Sequence, residues 1–596
     1  MFGPVKKSSR IGQWDGRTRS SRSDALVLPA LRQLGVWVRF GAVLLTAISA
    51  TLLGFFWGPP QSFRVGERVA HDLRAHVYFD LVNQAQTDRN REEAVDRLPP
   101  EQRTDPAAWE EARRTEPPVI ERYPAGSLLV QRGQPITDRQ LQLLQVETRA
   151  YLKSRGRDDH LRRGLALFLV ISLLAMLVVL YVARFQHALA QSLPKIVGVC
   201  GLVLLTIVLG ILLNSAPWHA VLVPLTVTAL ILTIAYNPQF ALLMTVSLTF
   251  AMVVTMGGKF GDLLVAMGGQ ATAVLVLRNV RTRTRLVEVG AIAGLAYLAM
   301  TVATNLYLGQ TWKYLVFEAG RGLVWGSLSG FLVSGLLPLI ERCFAVVTDV
   351  SLLQLSDGSH PLLQELVRRA PGTYTHSMTV ATLAEPAAEA IGANPLLTRV
   401  GSYFHDIGKM LKPHYFIENQ TGENRHDSLE PALSTLIIIG HVKDGIALAE
   451  QYRLPRPIVD FIQQHHGTTL VEYFYREALR VQEGLGNLPA GVEGQPHPLE
   501  PSFRYPGPKP QNRENAIVML ADAVESSSRA LATPTPGSLR KLIHDLLMKR
   551  LLDGQFEQSG LTLSELHIIE ETLAKGLTAL YHSRIKYPEA MERKAG

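Results

Sequence analysis

Cysteine is nearly absent from this sequence. Only Cys200 and Cys343 occur among 596 residues, and both lie in or beside strongly apolar segments. Two isolated thiols provide neither a disulfide framework nor the grouped thiolates of a structural zinc site. Any metal site in this chain is therefore predicted to use nitrogen and oxygen ligands.

Outside the first 40 residues, positively charged side chains barely outnumber negatively charged ones. The formal net charge is +8, and eight lysines and arginines precede Phe40 against Asp15 and Asp24. The rest of the chain offers little to attract a nucleic acid polymer, so none is predicted as a partner. A basic tail beside an apolar segment is typical of a membrane-orientation signal, and a disordered tail with incidental charge is the alternative interpretation.

Charged residues are also rare in several long stretches between residues 40 and 344. The first apolar stretch, residues 41–57, follows the basic tail and is not followed by a small-residue cleavage pattern. It is interpreted as a retained membrane helix rather than a removed signal peptide. Seven more segments approach spanning length, of which the fifth is short enough to be tilted, broken or re-entrant. They are residues 164–183, 196–213, 220–236, 240–255, 263–277, 289–306 and 323–340.

The positions of basic residues predict the orientation of these spans. Residues 278–285 carry four arginines, which places this link and the N-terminus in the cytoplasm. The polar segment 58–162 is then extracytoplasmic, and the chain from residue 341 onward is cytoplasmic. Lys259, Lys313 and Arg321 fall outside and count weakly against this orientation. The expected location is the bacterial inner membrane, which the chain crosses several times.

The extracytoplasmic segment is predicted to form a small mixed α/β domain. The alternation in residues 64–81 favours short strands, residues 88–114 favour helices, and residues 125–137 are predicted to form a β-hairpin. Lys259 and Asp262, near a membrane boundary, are interpreted as interface residues, with a functional ion pair as the alternative.

The last third of the chain is predicted to be all-α, without further membrane spans. A helical connector over residues 343–364 joins it to the last span. Residues 484–511 are rich in glycine and proline and are predicted to be largely loop. Helices are predicted at residues 361–370, 385–393, 431–452, 456–466, 514–531 and 538–587.

Five short pieces of this region contain metal-ligating residues within mostly apolar, helix-patterned sequence. A lone histidine usually has an ordinary role, but imidazoles and carboxylates gathered in one region suit a borderline divalent metal. Seven ligands are too many for one tetrahedral ion and fit a two-metal site, which Asp406 can bridge through its two oxygens. The candidate ligands are His376, His405, Asp406, His441, His465, His466 and Asp522.

Two of these pieces have the pattern of a helix end. His405-Asp406 is followed by Gly408, which is predicted to break the helix, and His465-His466 precedes Gly467 in the same way. Helix ends aimed at one point would bring these side chains to a common centre.

The motifs together resemble those of the seven-transmembrane HD family within the HD metal-dependent phosphohydrolases. The similarity runs almost continuously over residues 350–588 and departs from the family pattern at Arg425, where proline is usual. The extracytoplasmic segment also resembles the family at its two ends, but its middle is shorter. The motifs are APGTYTHS (370–377), HDIGKM (405–410), FIENQ (416–420), HVKDG (441–445), HHGTTLVEYFY (465–475), FRYPGPKPQ (503–511) and VMLADAVE (518–525).

The resemblance implies hydrolysis of cyclic di-AMP to linear pApA by two divalent ions, with manganese or iron favoured. One ion would be bound by His376, His405, Asp406 and Asp522, and the other by Asp406, His441, His465 and His466. The predicted catalytic residues are His405, Asp406 and Lys409. Lys409 is expected to hold a phosphate oxygen, with a solvent-facing lysine as the alternative. The remaining candidate substrate contacts are Asn419, Gln420 and Asn424.

The sequence disfavours three other functions. A cyclic di-GMP phosphodiesterase of the HD-GYP type would carry GYP soon after the paired histidines, but GTTLVEYFY follows His466. A receptor that only binds nucleotide would not need all seven ligands. A transporter would be expected to carry intramembrane charges that the apolar segments lack.

The predicted architecture is mostly α, in six parts. These are a basic cytoplasmic tail (1–34), a membrane anchor helix (35–57), an extracytoplasmic domain (58–162), a seven-helix transmembrane bundle (163–344), a connector (345–364) and an all-α cytoplasmic HD domain (365–596). The predicted partners are a cyclic dinucleotide and the lipid bilayer. Two further partners are left undecided by the sequence: an external ligand of the extracytoplasmic domain and a second copy of the chain in a homodimer.

Overall fold

The computed structural model describes residues 21–57, 63–103, 105–214, 218–278, 280–484, 499–532 and 534–582. The chain forms two compact units. Unit 1 comprises Met1–Leu277 and Leu286–Gly335, and unit 2 comprises Arg278–Arg285 and Leu336–Gly596. The described residues are mainly helical, as predicted.

Helix α1 spans Ser21–Trp57 and contains the predicted anchor. Its apolar part, Gly35–Phe56, is long enough to cross a membrane. The disordered tail was predicted to extend to residue 34, but the helix already begins at Ser21. Residues 1–20 of the tail lie outside the described residues.

A small mixed domain follows, with two antiparallel ladders beside three helices. Its elements are β1 (Leu73–Arg74), β2 (Phe79–Val82), α2 (Gln84–Asp96), α3 (Pro106–Thr115), β3 (Ile120–Tyr123), β4 (Leu128–Val130) and α4 (Asp138–Ser154). Strand β1 pairs with β4, and β2 pairs with β3. The hairpin predicted over residues 125–137 is wrong. Gly126 and Gly133, both with positive φ, turn the chain on either side of the three-residue β4, which pairs with the distant β1 instead.

Helices α5 to α12 contain the seven later apolar segments, each in a separate helix. They are α5 (Arg157–Phe185), the short α6 (His187–Ala190), α7 (Leu193–Leu213), α8 (Leu222–Ala235), α9 (Pro238–Met256), α10 (Phe260–Val276), α11 (Arg283–Tyr307) and α12 (Trp312–Phe344). Seven helices of the described chain are long and apolar enough to span a membrane, and six of these are α1, α5, α7, α9, α11 and α12. The total of eight spans stays a prediction.

The two shorter apolar helices lie inside unit 1. Helix α8 has 14 residues and α10 has 17. Ala229 and Leu230 in α8 and Val274 in α10 are fully buried. Glycines allow α11 and α12 to approach closely, since a Cβ on Gly290 would collide with the backbone of Gly330.

An ion-pair network lies where the segment after α1 meets α10 and α12 within unit 1. Arg64 Nη1 lies 2.7 Å from Glu318 Oε2, and Arg321 pairs with the same carboxylate. Lys259 pairs with Glu67 rather than with Asp262. The Asp262 carboxylate instead accepts a hydrogen bond from the Lys259 backbone N–H at 2.9 Å, which caps α10.

Unit 2 is all-α in its described part, with one isolated β-bridge between Leu470 and Arg504. Its α-helices are α13 (Asp349–Leu355), α14 (Pro361–Arg369), α15 (Pro371–Ala390), α16 (Pro395–Phe404), α17 (Pro431–Gln451), α18 (Arg456–Gln464), α19 (Glu472–Gly484), α20 (Arg513–Ser528), α21 (Pro536–Leu552) and α22 (Leu563–His582). Short 3-10 helices occupy Ile407–Leu411, Pro413–Tyr415, Ile417–Asn419 and Glu500–Phe503.

Two predicted helices in unit 2 need correction. The helix predicted at residues 385–393 begins earlier, at Pro371, because proline is tolerated in the first turn. The helix predicted at residues 538–587 is divided into α21 and α22 by a turn that contains Gly554 and Gly560, both with positive φ. Residues 485–498 and 583–587, for which a loop and a helix were predicted, lie outside the described residues.

Helix α17 is the seventh helix with membrane-like length and composition. It belongs to unit 2, packs against α18, α19 and the 3-10 helix Ile407–Leu411, and buries Ser434, Thr435 and His441. These polar residues would be costly in lipid. We therefore assign α17 to the core of unit 2.

The carboxylate of Glu341 accepts three hydrogen bonds from the segment that joins α12 to α13. Glu341 Oε1 accepts hydrogen bonds from the backbone N–H of Thr348 at 2.9 Å and from its hydroxyl at 2.6 Å. Glu341 Oε2 accepts a third from the Ser351 hydroxyl at 2.7 Å. Helix α13 then buries Leu352 in the same core cluster as Phe404 and Ile407, which flank His405-Asp406.

Candidate metal centre

Five segments of unit 2 bring the seven predicted ligands together. His405 and Asp406 directly follow α16, and His465 and His466 directly follow α18. The expectation of converging helix ends holds for these two pairs. The other three ligands, His376, His441 and Asp522, project from within α15, α17 and α20.

One group of ligand atoms surrounds the Oδ2 atom of Asp406. His376 Nε2 lies 3.4 Å and His405 Nε2 lies 3.3 Å from this oxygen. Asp522 Oδ1 lies 3.0 Å from His376 Nε2. One ligand atom from each of these four residues lies within 4.8 Å of the others, which is compact enough for a single metal ion.

A second group surrounds the other oxygen of the same carboxylate. His441 Nε2 lies 3.3 Å and His465 Nε2 lies 3.5 Å from Asp406 Oδ1. His466 completes this group within the same 4.8 Å limit. Asp406 therefore faces one set of imidazoles with each oxygen, which is the arrangement expected of a bridging ligand.

Burial shows that a cation fits this cluster. Asp406 is 1% exposed and His405 is fully buried. The Nε2 atoms of His376 and His405 and the Oδ1 atom of Asp406 are buried without a hydrogen-bond partner, and Asp406 Oδ2 faces Lys409 Nζ at 2.6 Å. Unsatisfied buried polar atoms are costly, and two metal ions, one in each group, would satisfy them.

Backbone carbonyls orient three of the histidines. The Nδ1 atom of each ring lies within hydrogen-bond distance of a carbonyl oxygen in its own helix, so Nε2 is left as the metal-facing atom. The distances are 2.7 Å for His405 and Ser402, 2.5 Å for His441 and Ile438, and 3.0 Å for His465 and Ile462.

A carboxylate orients the fourth histidine. His376 Nδ1 lies 2.6 Å from Glu525 Oε2, and Glu525 is in turn held by Arg529 Nε at 2.8 Å. Glu525 was not among the residues predicted from the sequence. Its spacing of three residues from Asp522 puts both on one face of α20, and this was the available signal.

Electrostatics divides the histidines into two classes. Burial alone would lower the pKa of His405, but Asp406 and Asp522 outweigh it and raise the pKa to about 9. The pKa of His376 is raised well above its usual value for similar reasons. Burial lowers the pKa of His441 to about 3 despite the attraction of Asp406. His376 and His405 therefore hold a proton more strongly than His441 does.

Lys409 is already engaged with two carboxylates. Its Nζ lies 2.6 Å from Asp406 Oδ2 and 3.1 Å from Glu418 Oε1. It lies in the 3-10 helix rather than on a continuation of α16, which ends at Phe404. The alternative of a solvent-facing lysine is therefore wrong. Glu418 is a second residue that the sequence analysis missed.

Gly408 does not have the predicted role of a helix breaker. Helix α16 ends before it, and Gly408 is buried in the following 3-10 helix. A Cβ at this position would collide with the carbonyl oxygen of His441 and lie 2.5 Å from Gly445 N. Glycine is needed because the backbone passes directly against α17.

The three amide residues proposed to contact substrate make hydrogen bonds within the protein. Asn419 Oδ1 accepts from the backbone N–H of Gly372 at 2.9 Å, which ties its loop to the start of α15. Gln420 Nε2 donates to Asn424 Oδ1 at 3.2 Å, and Asn424 Nδ2 donates to Asp427 at 2.9 Å. Substrate contacts by these residues stay a prediction.

Part of the glycine- and proline-rich segment is ordered beside the centre. Tyr505 is buried, and its ring packs against the His466 imidazole with centroids 4.3 Å apart and an angle of 31°. The Tyr505 backbone N–H donates to Thr469 O at 3.0 Å. Tyr505 thus forms a wall of the cluster beside its partly exposed histidine.

Comparisons with known proteins give consistent family matches. Residues 161–348 match the family described as a 7TM receptor with intracellular HD hydrolase, and residues 373–527 match the HD domain. The chain is 38% identical over 383 residues to the cyclic-di-AMP phosphodiesterase PgpH of Bacillus subtilis, covering 62% of this chain and 52% of that protein. It is 34% identical over 502 residues to the cyclic-di-AMP phosphodiesterase PgpH of Listeria monocytogenes, covering 82% of this chain and 67% of that protein.

A solved structure also matches. The HD domain of the L. monocytogenes phosphodiesterase PgpH in complex with cyclic-di-AMP is 45% identical, with a TM-score of 0.34. The match covers 38% of this chain and 100% of that one. The present chain thus spans between about half and two thirds of the curated relatives' full length.

Proposed function

Because the chain belongs to the family of seven-transmembrane receptors with an intracellular HD hydrolase, we propose that it is a membrane-bound, metal-dependent phosphodiesterase. The proposed substrate is cyclic di-AMP, which the names of the curated relatives give as theirs. The proposed product is linear pApA. The observation that carries this proposal is Asp406, a buried carboxylate whose two oxygens each face a separate set of imidazoles.

Two divalent ions would be held by this chain. His376, His405, Asp406 and Asp522 would bind one, and Asp406, His441, His465 and His466 would bind the other. When bound, such a pair supplies a hydroxide near neutral pH and neutralises charge on the reacting phosphoryl group. Nitrogen and oxygen ligands without thiolate suit several first-row metals, and the family favours manganese or iron.

The protein's own residues prepare the site in three ways. Asp406 fixes the relative position of the two imidazole sets, and the carbonyl and Glu525 contacts hold four of the five rings with Nε2 facing inward. Lys409, paired with Asp406 and Glu418, places positive charge beside the reacting phosphate. Tyr505 covers one face of the His466 ring and limits its contact with water.

The orientation in the membrane is also proposed. The arginine-rich segment Arg278–Arg285 belongs to unit 2, and Arg281 Nε lies 3.7 Å from Asp349 Oδ2 in the connector helix. We infer that both lie on the same side of the membrane, and the positive charge favours the cytoplasmic side. The N-terminus would then lie on that side, and the β1–β4 domain on the other.

Regulation through the membrane region is supported by continuity of structure. Helix α12 spans 33 residues with Pro338 inside it, and Glu341 near its end holds the connector to α13. A change in the outer or membrane region would thus have a direct covalent route towards the helices that carry the site.

Metal content tests the two-ion proposal. The full chain, purified in detergent and loaded anaerobically with Fe²⁺ or with Mn²⁺, should retain two ions per chain by elemental analysis. The Asp406→Ala variant should retain fewer than one, because both groups lose their shared ligand. Two ions in the variant would contradict the bridging role of Asp406.

A further inference from the structure

Arg550 is a basic residue in the last turn of α21. Its Nε atom is buried without a hydrogen-bond partner, and its side chain makes no ion pair or hydrogen bond with any residue that the structure describes. Burial lowers the pKa of Arg550, although Asp522 and Asp553 act in the opposite direction. The residue as a whole is partly exposed, so a guanidinium with a buried, unpaired Nε keeps its charge accessible, and this position is expected to receive an anion.

The backbone beside Arg550 is tied to the end of α18, where His465 and His466 lie. Gln555 is fully buried, and its N–H donates to Arg550 O at 3.0 Å. Gln555 Oε1 accepts from the Thr468 N–H at 3.0 Å, two residues after His466. Asp522, a candidate metal ligand, is among the carboxylates whose negative charge acts on Arg550. The hydrogen bonds of Gln555 place the end of α21, which carries Arg550, beside the segment that follows His466.

Other basic residues around this centre already have carboxylate partners. Lys409 is paired with Asp406 and Glu418. Pairing likewise occupies Arg504 (with Glu500 and Asp553), Lys509 (with Glu557) and Arg529 (with Glu525). Arg550 differs from all four in having its charge available for a ligand.

We propose that Arg550 binds the second, non-reacting phosphate of a cyclic dinucleotide while the first phosphate is hydrolysed. This inference rests on the proposed function. A cyclic dinucleotide carries two phosphates, and only one of them can react at the centre around Asp406. The second keeps its negative charge and needs a separate cation, for which the planar guanidinium fork is well suited. Arg550 would then select substrates with two phosphodiesters over those with one.

The test compares two substrates in the full chain, purified in detergent with Mn²⁺. Cyclic di-AMP has the second phosphate, and bis(4-nitrophenyl) phosphate does not. Arg550→Met should raise the KM for cyclic di-AMP by about ten- to a hundredfold, the value of a charge-assisted hydrogen bond. The kcat/KM for the small diester should stay within about twofold, because no contact to it is lost. Metal content should be unchanged.

Two further variants complete the design. Arg550→Lys keeps the charge without the fork and should give an intermediate KM for cyclic di-AMP. It also keeps the test valid if Arg550→Met fails to fold. Arg540→Met removes a charge from the same helix at a 63% exposed side chain and should match the wild type.

Three results would overturn the proposal. These are an unchanged KM for cyclic di-AMP in both Arg550 variants, an equal loss with both substrates, and a loss of bound metal in Arg550→Lys. If the wild type does not hydrolyse cyclic di-AMP, the proposed function fails, and equilibrium binding of cyclic di-AMP then replaces KM. A Kd raised tenfold or more in Arg550→Met would still support the phosphate contact, and an unchanged Kd or no binding by the wild type would overturn it.

Discussion

His376 Nδ1 lies 2.6 Å from Glu525 Oε2, on the edge of the imidazole opposite to the Nε2 atom that faces Asp522 at 3.0 Å. The histidine is thus held between two carboxylates, one of which is a candidate metal ligand. The other, Glu525, is fixed by Arg529 and is 5% exposed. Such a contact sets the tautomer of a metal-binding histidine and raises its basicity.

Glu525→Gln should weaken metal binding. The amide cannot supply the negative charge behind His376, so the affinity of the group around Asp406 Oδ2 is expected to fall about 10- to 100-fold. Titration of the metal-free full chain with Mn²⁺ measures this directly. Glu385→Gln is the matched control, because Glu385 pairs with Arg399 rather than with a ligand residue. Equal affinities in wild type and Glu525→Gln would remove Glu525 from the metal centre.

Asp406→Ala and His405→Ala should abolish hydrolysis while the protein still inserts into the membrane. Loss of either side chain removes a ligand from the buried centre, and the rate is expected to fall at least about a thousandfold. Product formation by membranes that contain equal amounts of each variant measures the effect. Asp460→Ala is the control, since Asp460 pairs with Arg456 on the side of α18. Full activity in Asp406→Ala would eliminate the two-metal mechanism.

Gly408→Ala should destabilise unit 2 and disturb the site. The added Cβ would collide with the carbonyl of His441, and overpacking of this kind costs about 1–3 kcal/mol. Gly440→Ala on α17 is the control, because a Cβ there meets nothing within 4 Å and should stabilise the helix by up to about 1 kcal/mol. Thermal unfolding of the two variants should shift in opposite directions. Equal shifts would contradict the close approach at Gly408.

The start of α14 should be less stable in acid. His360 Nδ1 accepts a hydrogen bond from the Leu362 N–H at 3.3 Å, and burial lowers the pKa of His360 below 6.5. The unfolded chain therefore binds a proton more readily than the folded one as the pH falls below 6.5, and stability decreases in that window. A protonated ring also loses its acceptor atom at the helix N-terminus.

Hydrogen exchange of the peptide Pro361–Arg369 measures this effect. After correction for intrinsic rates, exchange in the full chain should increase from pH 7.5 to pH 5.5. His360→Asn keeps a neutral capping acceptor and should show a smaller increase. The same pH dependence in both proteins would mean that another group is responsible.

The candidate ligand set was predictable because each member lies in a short, distinctive motif. His405-Asp406 and His465-His466 follow apolar helical patterns, and the structure brings them together with His376, His441 and Asp522. The all-α character of unit 2 was predictable from the same patterns. Their roles as ligands are what the metal measurements test.

The remaining features depend on contacts between distant segments. Glu418 and Glu525 resemble ordinary charged helix residues until folding places them against Lys409 and His376. Gly408 carries a helix-end pattern, but its role is set by the backbone of α17 beside it. The pairing of β4 with β1 likewise joins residues more than 50 positions apart, which local alternation cannot predict.

Turnover of two cyclic dinucleotides by the same preparation tests the central claim most directly. The full chain, loaded with Mn²⁺ or anaerobic Fe²⁺, is given cyclic di-AMP and cyclic di-GMP in parallel, and products are separated by chromatography. We predict metal-dependent conversion of cyclic di-AMP to pApA, with little turnover of cyclic di-GMP. Preference for cyclic di-GMP, or no turnover of either with two metal ions bound, would contradict the account.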